Sequence, residues 1–229
     1  YSISFFSWNT AFLSDDSDNS SETFQIFRKN RMIIAERLAD QNPNINLPES
    51  TTNFPYGYQG TSQEVLIPAF LSAYSGRDAS TFNMDKFPNI PLPNWRINFD
   101  GLKNIKWFEK RFKTISMSHS YKSTYSVGSY VSSLDYVDSN NDGWSDAVNE
   151  STQNYFNQFE INQVTIRENF SPLFKMDLTF KNSIIARLEL KKERTLTLGL
   201  SNNQVTDVNS NEWIVGAGYR IKDLGFNFR

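Results

Sequence analysis

The sequence predicts an all-β chain with a helical insert between its strands, and three observations point there. From Ile115 to Val131 the odd positions read Ile115, Met117, His119, Tyr121, Ser123, Tyr125, Val127, Ser129 and Val131, while the even ones read Ser116, Ser118, Ser120, Lys122, Thr124, Ser126, Gly128 and Tyr130. A period of two is the strand period. The same alternation recurs from Ile184 to Leu200, with Ile184, Ala186, Leu188, Leu190, Leu196 and Leu198 on one face and Arg187, Glu189, Lys191 and Glu193 on the other. The third observation is the 15% aromatic content, 19 Phe, 10 Tyr and 5 Trp. Seventeen residues at about 3.3 Å each make a strand of roughly 55 Å, where ordinary strands run to about 5 or 6 residues. Strands this long with one greasy and one polar face occur in very large extracellular sheets and in outer-membrane barrels.

Composition narrows the classes. No apolar stretch approaches the length of a spanning helix, so a helical membrane protein is excluded. A barrel is not, because its strands expose only alternate residues to lipid. With no Cys there is no disulfide framework, thiol nucleophile or Cys-ligated metal, and with one His, triads and His-based metal sites are nearly closed off. A net charge of −2 gives no global reason to expect nucleic acid. Tyr1 without an initiator Met, and Arg229 inside the alternating run Gly225-Phe226-Asn227-Phe228, predict a piece of something longer.

In order along the chain, residues 1–13 read as a strand with Phe6, Trp8 and Phe12 on one face. Ser14 to Ser21 is an acidic loop able to cap a helix, and Glu22 to Asp40 is an amphipathic helix whose apolar face is Phe24, Phe27, Ile34 and Leu38. Three prolines between Asn42 and Tyr58 predict an irregular loop. Thr61 and Ser62 cap a second helix ending near Gly76, which either starts late or kinks at Pro68. Residues 14–92 are thus a helical insert, which in a barrel must sit in a loop region or in the lumen.

From residue 93 to 229 the chain returns to strands. Asn94 to Phe99 is a short one, and Leu102, Ile105, Phe108 and Phe112 mark one face of a short helix that also carries Lys103, Lys106, Trp107, Lys110, Arg111 and Lys113. That basic face fits nucleic acid, a lipid headgroup boundary, or plain solvation. After the long strand and the acidic loop at 134–154, strands are expected at Phe159 to Ile166 and Phe174 to Phe180, with a turn at Asn169 to Pro172 between them. Lys192 and Arg194 interrupt the apolar face of the 184–200 run, marking either a turn or an end outside lipid, and on the lipid reading Leu198 faces hydrocarbon. Asn202 to Asn211 reads as loop, Trp213, Val215, Ala217, Tyr219 and Ile221 as one strand face, and Lys222-Asp223-Leu224 as a tight turn. Gly216 and Gly218 suggest close approach on the lumen side.

The best local motif is Asp138, Asn140, Asp142, Trp144 and Asp146 with Gly143 at the sixth position, the spacing of a calcium loop in which Trp144 offers its carbonyl. The twelfth position is Asn149 instead of a bidentate Glu, and Glu150 comes one residue late. The same residue types favour a turn without metal. His119 has no second His or Cys and reads as a packed or interface histidine. No phosphate loop or carboxylate pair stands out, so no catalytic residue is assigned and no cofactor is required.

Three segments, EVLIPAFLSAYSG (64–76), PLPNWRINFDGLKNIKWFEKRFKTISMSHSYKSTYSVGSY (91–130) and FSPLFKMDLTFKNSIIARLELKKERTLTLGLSNNQVTDVNSNEW (170–213), resemble the SprA/Sov family, the outer-membrane translocon proteins of the type 9 secretion system of Bacteroidetes. The resemblance covers most of the chain, which would be a small part of a much longer polypeptide, from its C-terminal portion. It implies an all-β membrane fold, part of a very large transmembrane β-barrel with a lateral opening, in the cell outer membrane. It also implies a PorV-type barrel protein at that opening, a periplasmic plug protein, and secreted cargo with a C-terminal signal, including adhesins in gliding members. It assigns no binding residue. Other expectations from the residues are a different outer-membrane transport barrel, or a soluble calcium-dependent extracellular adhesive β module.

Overall fold

The computed structural model describes residues 1–13, 21–43 and 48–221. The loop expected over most of Ser14 to Ser21, the turn at Lys222-Asp223-Leu224 and the run at 225–228 lie outside the described residues. The chain is mostly β-sheet with few helices. In order it forms β1 (Ser2–Ser4), α1 (Glu22–Gln41), α2 (Gln63–Ser75), β2 (Trp95–Phe99), α3 (Lys106–Glu109), β3 (Phe112–Val127), β4 (Tyr130–Ser132), β5 (Val148–Asn149), β6 (Asn154–Tyr155), β7 (Phe159–Ile161), β8 (Gln163–Phe180), β9 (Ile184–Gly199) and β10 (Gln204–Tyr219). The main sheet has the order β1-β3-β8-β9-β10, with β2 also on β3. Both β1 and β2 pair antiparallel with β3, Ile3 opposite Tyr125 and Ile97 opposite His119. Among the described residues the sheet is open, with β10 at one edge.

Two compact units divide the chain: Tyr1–Leu92, Thr124–Ile166 and Leu196–Asp207 form one, and Pro93–Ser123, Arg167–Thr195 and Val208–Arg229 the other. The core of the first is helical. The Ser21 hydroxyl accepts the Phe24 N–H and starts α1, whose Phe27, Ile34 and Leu38 are buried. Phe24, expected on that face, is exposed. Ser62 caps α2 by accepting the Glu64 N–H, and the helix runs unbroken through Pro68 to Gly76, whose φ of +66° suits a left-handed cap. Every residue of α2 from Val65 to Ser75 is buried, the mark of a helix covered on all sides. Its polar groups are satisfied locally: Asn30 donates to the Ser72 hydroxyl at 2.9 Å, which donates to the Ala69 carbonyl at 3.0 Å. These helices close over Tyr125 and Val127 of β3, Val164 and Ile166 of β8, and Leu196 and Leu198 of β9.

Several boundaries differ from the sequence expectation, each for a tertiary reason. Residues 1–13 do not form one strand: after Ser4 the chain turns into a 3-10 helix at Trp8–Thr10. There Thr10 Oγ1 donates to the Tyr74 carbonyl at 2.6 Å and Asn9 Nδ2 to the Ser75 carbonyl at 3.2 Å, so both side chains serve carbonyls that α2 leaves without helical partners. The alternation to Val131 is split at Gly128, because β4 leaves the main sheet to pair with β7. The turn expected at Asn169 to Pro172 is absent, since β8 continues through it. The segment is held extended by the Tyr121–Phe170 ring contact at 5.0 Å and a bond from Asn169 to Glu193 at 2.8 Å. Lys192 and Arg194 mark no turn, because β9 is continuous. The loop expected at Asn202 to Asn211 is mostly strand, since β10 begins at Gln204 and the ladder to β9 supplies what the side-chain pattern lacks. The short basic helix dissolves into a 3-10 turn at Gly101–Asn104 and the single turn of α3, too short to offset helix nucleation.

Candidate functional site

The second unit holds the feature with the clearest chemical sense, a sheet segment with two unlike sides. On one side Asp177 of β8 pairs with Lys175 at 3.3 Å and with Arg187 of β9 at 2.6 Å, and Lys191 of β9 pairs with Glu212 of β10 at 2.9 Å. A Cβ added to Gly216 would touch that of Arg187 at 3.7 Å, which fixes the β9–β10 register on that side. Side chains alternate along a strand, so the intervening residues lie on the other side. They are Phe174, Met176, Leu178 and Phe180 of β8, Ile184, Ala186, Leu188 and Leu190 of β9, and Trp213, Val215, Ala217 and Tyr219 of β10.

That second side is apolar across three neighbouring strands, half-buried on β8 and open on β9 and β10. Val215 is 77% exposed, Tyr219 68%, Trp213 67% and Leu188 36%. Phe180 meets Phe112 of β3 with ring centres 4.5 Å apart and planes tilted by 39°. Seven residues per strand span roughly 23 Å along the strand direction, just under the ~25 Å apolar band of outer-membrane barrels. Contiguous open apolar surface of this kind marks contact with another apolar phase or partner.

The face assigned to lipid from sequence needs a correction at its other end. Leu196 and Leu198 are 0% exposed and belong to the helical core of the first unit, so they pack against protein. The interruption in the pattern is a buried charge: Arg194 lies 3.9 Å from Glu168, whose other carboxylate oxygen accepts the Tyr121 hydroxyl at 3.1 Å. Desolvation cancels much of the attraction in an ion pair so enclosed. Nothing in the sequence paired residue 168 with 194; the pairing appears once β8 and β9 are seen to be neighbours.

Asp138, Asn140 and Asp142 do come together. Asp138 Oδ1 accepts the Asp142 N–H at 3.1 Å and its Oδ2 the Gly143 N–H at 3.0 Å. Asn140 Oδ1 accepts the Asp142 N–H at 3.2 Å, while its amide donates to Asp142 Oδ2 at 2.9 Å. Asp146 instead accepts the Ser139 N–H at 2.8 Å. Among the described residues no three acidic or histidine side chains are grouped to hold a metal. The donors present on the chain close the loop as a turn, and the Asn140 amide occupies a carboxylate oxygen that a cation would claim. Trp144 leaves the loop and points its ring at Tyr58, 6.4 Å and 87° apart, anchoring it to the helical core.

Around that anchor Tyr58, Trp144, Tyr136, Tyr155 and the Lys86–Glu64 ion pair line a cavity of about 270 Å³. Burial raises the Tyr58 phenol above the usual tyrosine range, and a 2.7 Å bond from Asn42 only partly offsets it. His119 lies in β3 with Nδ1 2.6 Å from the Leu173 carbonyl. Gly216 and Gly218 are not sites of close approach: the nearest contact at Gly216 is of ordinary length, and nothing lies within 4 Å at Gly218. No helix among the described residues is long and apolar enough to cross a membrane, which says nothing of a barrel. A scan against protein-family models and a search of curated proteins return no match to this chain.

Proposed function

We propose that the chain is a wall segment of a very large transmembrane β-barrel in the cell outer membrane, the protein-conducting translocon of the type 9 secretion system. The single observation that carries this reading is the two-sided sheet of the second unit, open and apolar on one side, ion-paired on the other. In hydrocarbon every backbone N–H and C=O needs an internal partner, and strands of 16 to 18 residues laddered to their neighbours supply them. The polar side keeps a passage wet, and the wall acts by geometry, with no reaction step. The described strands are too few to enclose a folded protein, so the barrel is completed by further strands of a longer polypeptide. The partners on this reading are those the family resemblance implies: a PorV-type barrel protein, a plug protein and secreted cargo.

The test exploits the absence of cysteine from these residues. In the intact polypeptide in outer membranes, Val215→Cys and Leu188→Cys should react with a lipid-phase maleimide and resist a membrane-impermeant one, while Glu212→Cys and Glu189→Cys should show the reverse. Equal labelling of both sets by the water-phase reagent, or release of the polypeptide without detergent, would overturn the proposal in favour of a water-soluble β module.

A further inference from the structure

We propose that the connection between β2 and β3, together with the β8–β9 turn, forms a docking surface for the phosphate groups of anionic phospholipids, seating one end of the wall in the headgroup layer. The inference rests on the barrel reading above and adds the lipid class that this end recognises. Residues 101–113 carry Lys103, Lys106, Lys110, Arg111 and Lys113 against a single acid, Glu109. All five cations are exposed, and among the described residues none is in an ion pair. Ile105 and Trp107 are exposed beside them. The Arg111 guanidinium lies 4.7 Å from the exposed Trp107 ring, a stacking that leaves the planar N–H fork able to meet an anion.

The strand ends bring more charge to the same place. The Lys181 N–H donates to the Arg111 carbonyl at 3.1 Å, joining the β8–β9 turn to this connection, and the Arg220 N–H donates to the Ser183 carbonyl at 2.9 Å, adding the end of β10. Lys181 and Arg220 are both exposed. Tyr219, on the open apolar side, ends at this level, so cations and an aromatic rim border the apolar strip as headgroup phosphates border hydrocarbon. Nucleic acid fits less well, because a surface for it has no use for exposed isoleucine and an apolar sheet alongside.

The intact polypeptide would be reconstituted in phosphatidylcholine nanodiscs with a small fraction of brominated phosphatidylglycerol or brominated phosphatidylcholine. Trp107 quenching would be isolated by subtracting a Trp107→Phe variant. Stronger quenching by the brominated anionic lipid is expected, with the preference falling about fivefold for each cation removed and on the order of 100-fold in Lys106→Gln, Lys110→Gln, Arg111→Gln. Equal quenching by both lipids, a preference that survives the triple variant, or equal competition by inorganic phosphate would overturn the proposal. A bromolipid-quenched fluorophore on Val215→Cys in the same discs separates the two failures: if it is quenched while Trp107 shows no preference, the wall stands and the headgroup site falls, and if neither is quenched, the barrel reading falls first.

Discussion

Val215→Arg puts the lipid assignment to a quantitative test. Val215 is the most exposed of the large apolar residues on the open side of β10, and its neighbours across β9 include Leu188. An arginine facing hydrocarbon destabilises a barrel by about 2–4 kcal/mol at the midplane and about 0–1 kcal/mol near the interfaces. In water the same exposed substitution stays within about 0.5 kcal/mol of neutral. Trp213 and Tyr219 lie on either side of Val215 along the strand, where interface aromatics sit, so Val215 falls toward the middle of the strip and the larger figure applies. Reversible urea unfolding in phospholipid vesicles, read by the electrophoretic shift of folded barrel, resolves such a change because extrapolation carries about 10–15% uncertainty. A destabilisation below about 0.5 kcal/mol at Val215, repeated for Leu188→Arg, would refute the reasoning.

Other outcomes follow from the same packing. Leu198→Ala should cost about 2–5 kcal/mol in either solvent, because the side chain is fully enclosed by the helical core; unfolding midpoints that match wild type would contradict that burial. Thr10→Val strips a bond from the Tyr74 carbonyl and should destabilise by about 1–3 kcal/mol, with faster amide exchange at the end of α2 as the local signature. Removing calcium with a chelator should leave the 138–146 loop folded, since its own N–H donors hold it, whereas a calcium-dependent rise in melting midpoint that Asp138→Asn abolishes would assign a cation there. Because burial raises the Tyr58 phenol, its contribution to stability is complete below the ordinary tyrosine pKa of about 10 and is lost as pH rises toward the folded value. Tyr58→Phe should therefore flatten the alkaline limb of the stability curve, and an unchanged limb would mean that the phenol ionises freely.

Local pattern was enough for the strand-rich architecture, for α1 and α2 with their serine caps, and for the apolar face of residues 213–219, because period and capping chemistry are encoded within a few neighbouring residues. It was also enough to bring Asp138, Asn140 and Asp142 into one turn. Whether an apolar face meets lipid or protein is a different kind of question. Leu188 and Leu198 share a strand and a parity, yet one is open and the other sealed beneath helices that come from more than a hundred residues earlier in the chain. The same holds for Arg194, which interrupts the pattern until Glu168 is seen on the adjoining strand, and for residues 204–211, whose strand depends on the ladder to β9. Alternation determines which side chains share a face; the partner that covers the face is chosen by long-range contacts, which no short window of sequence contains.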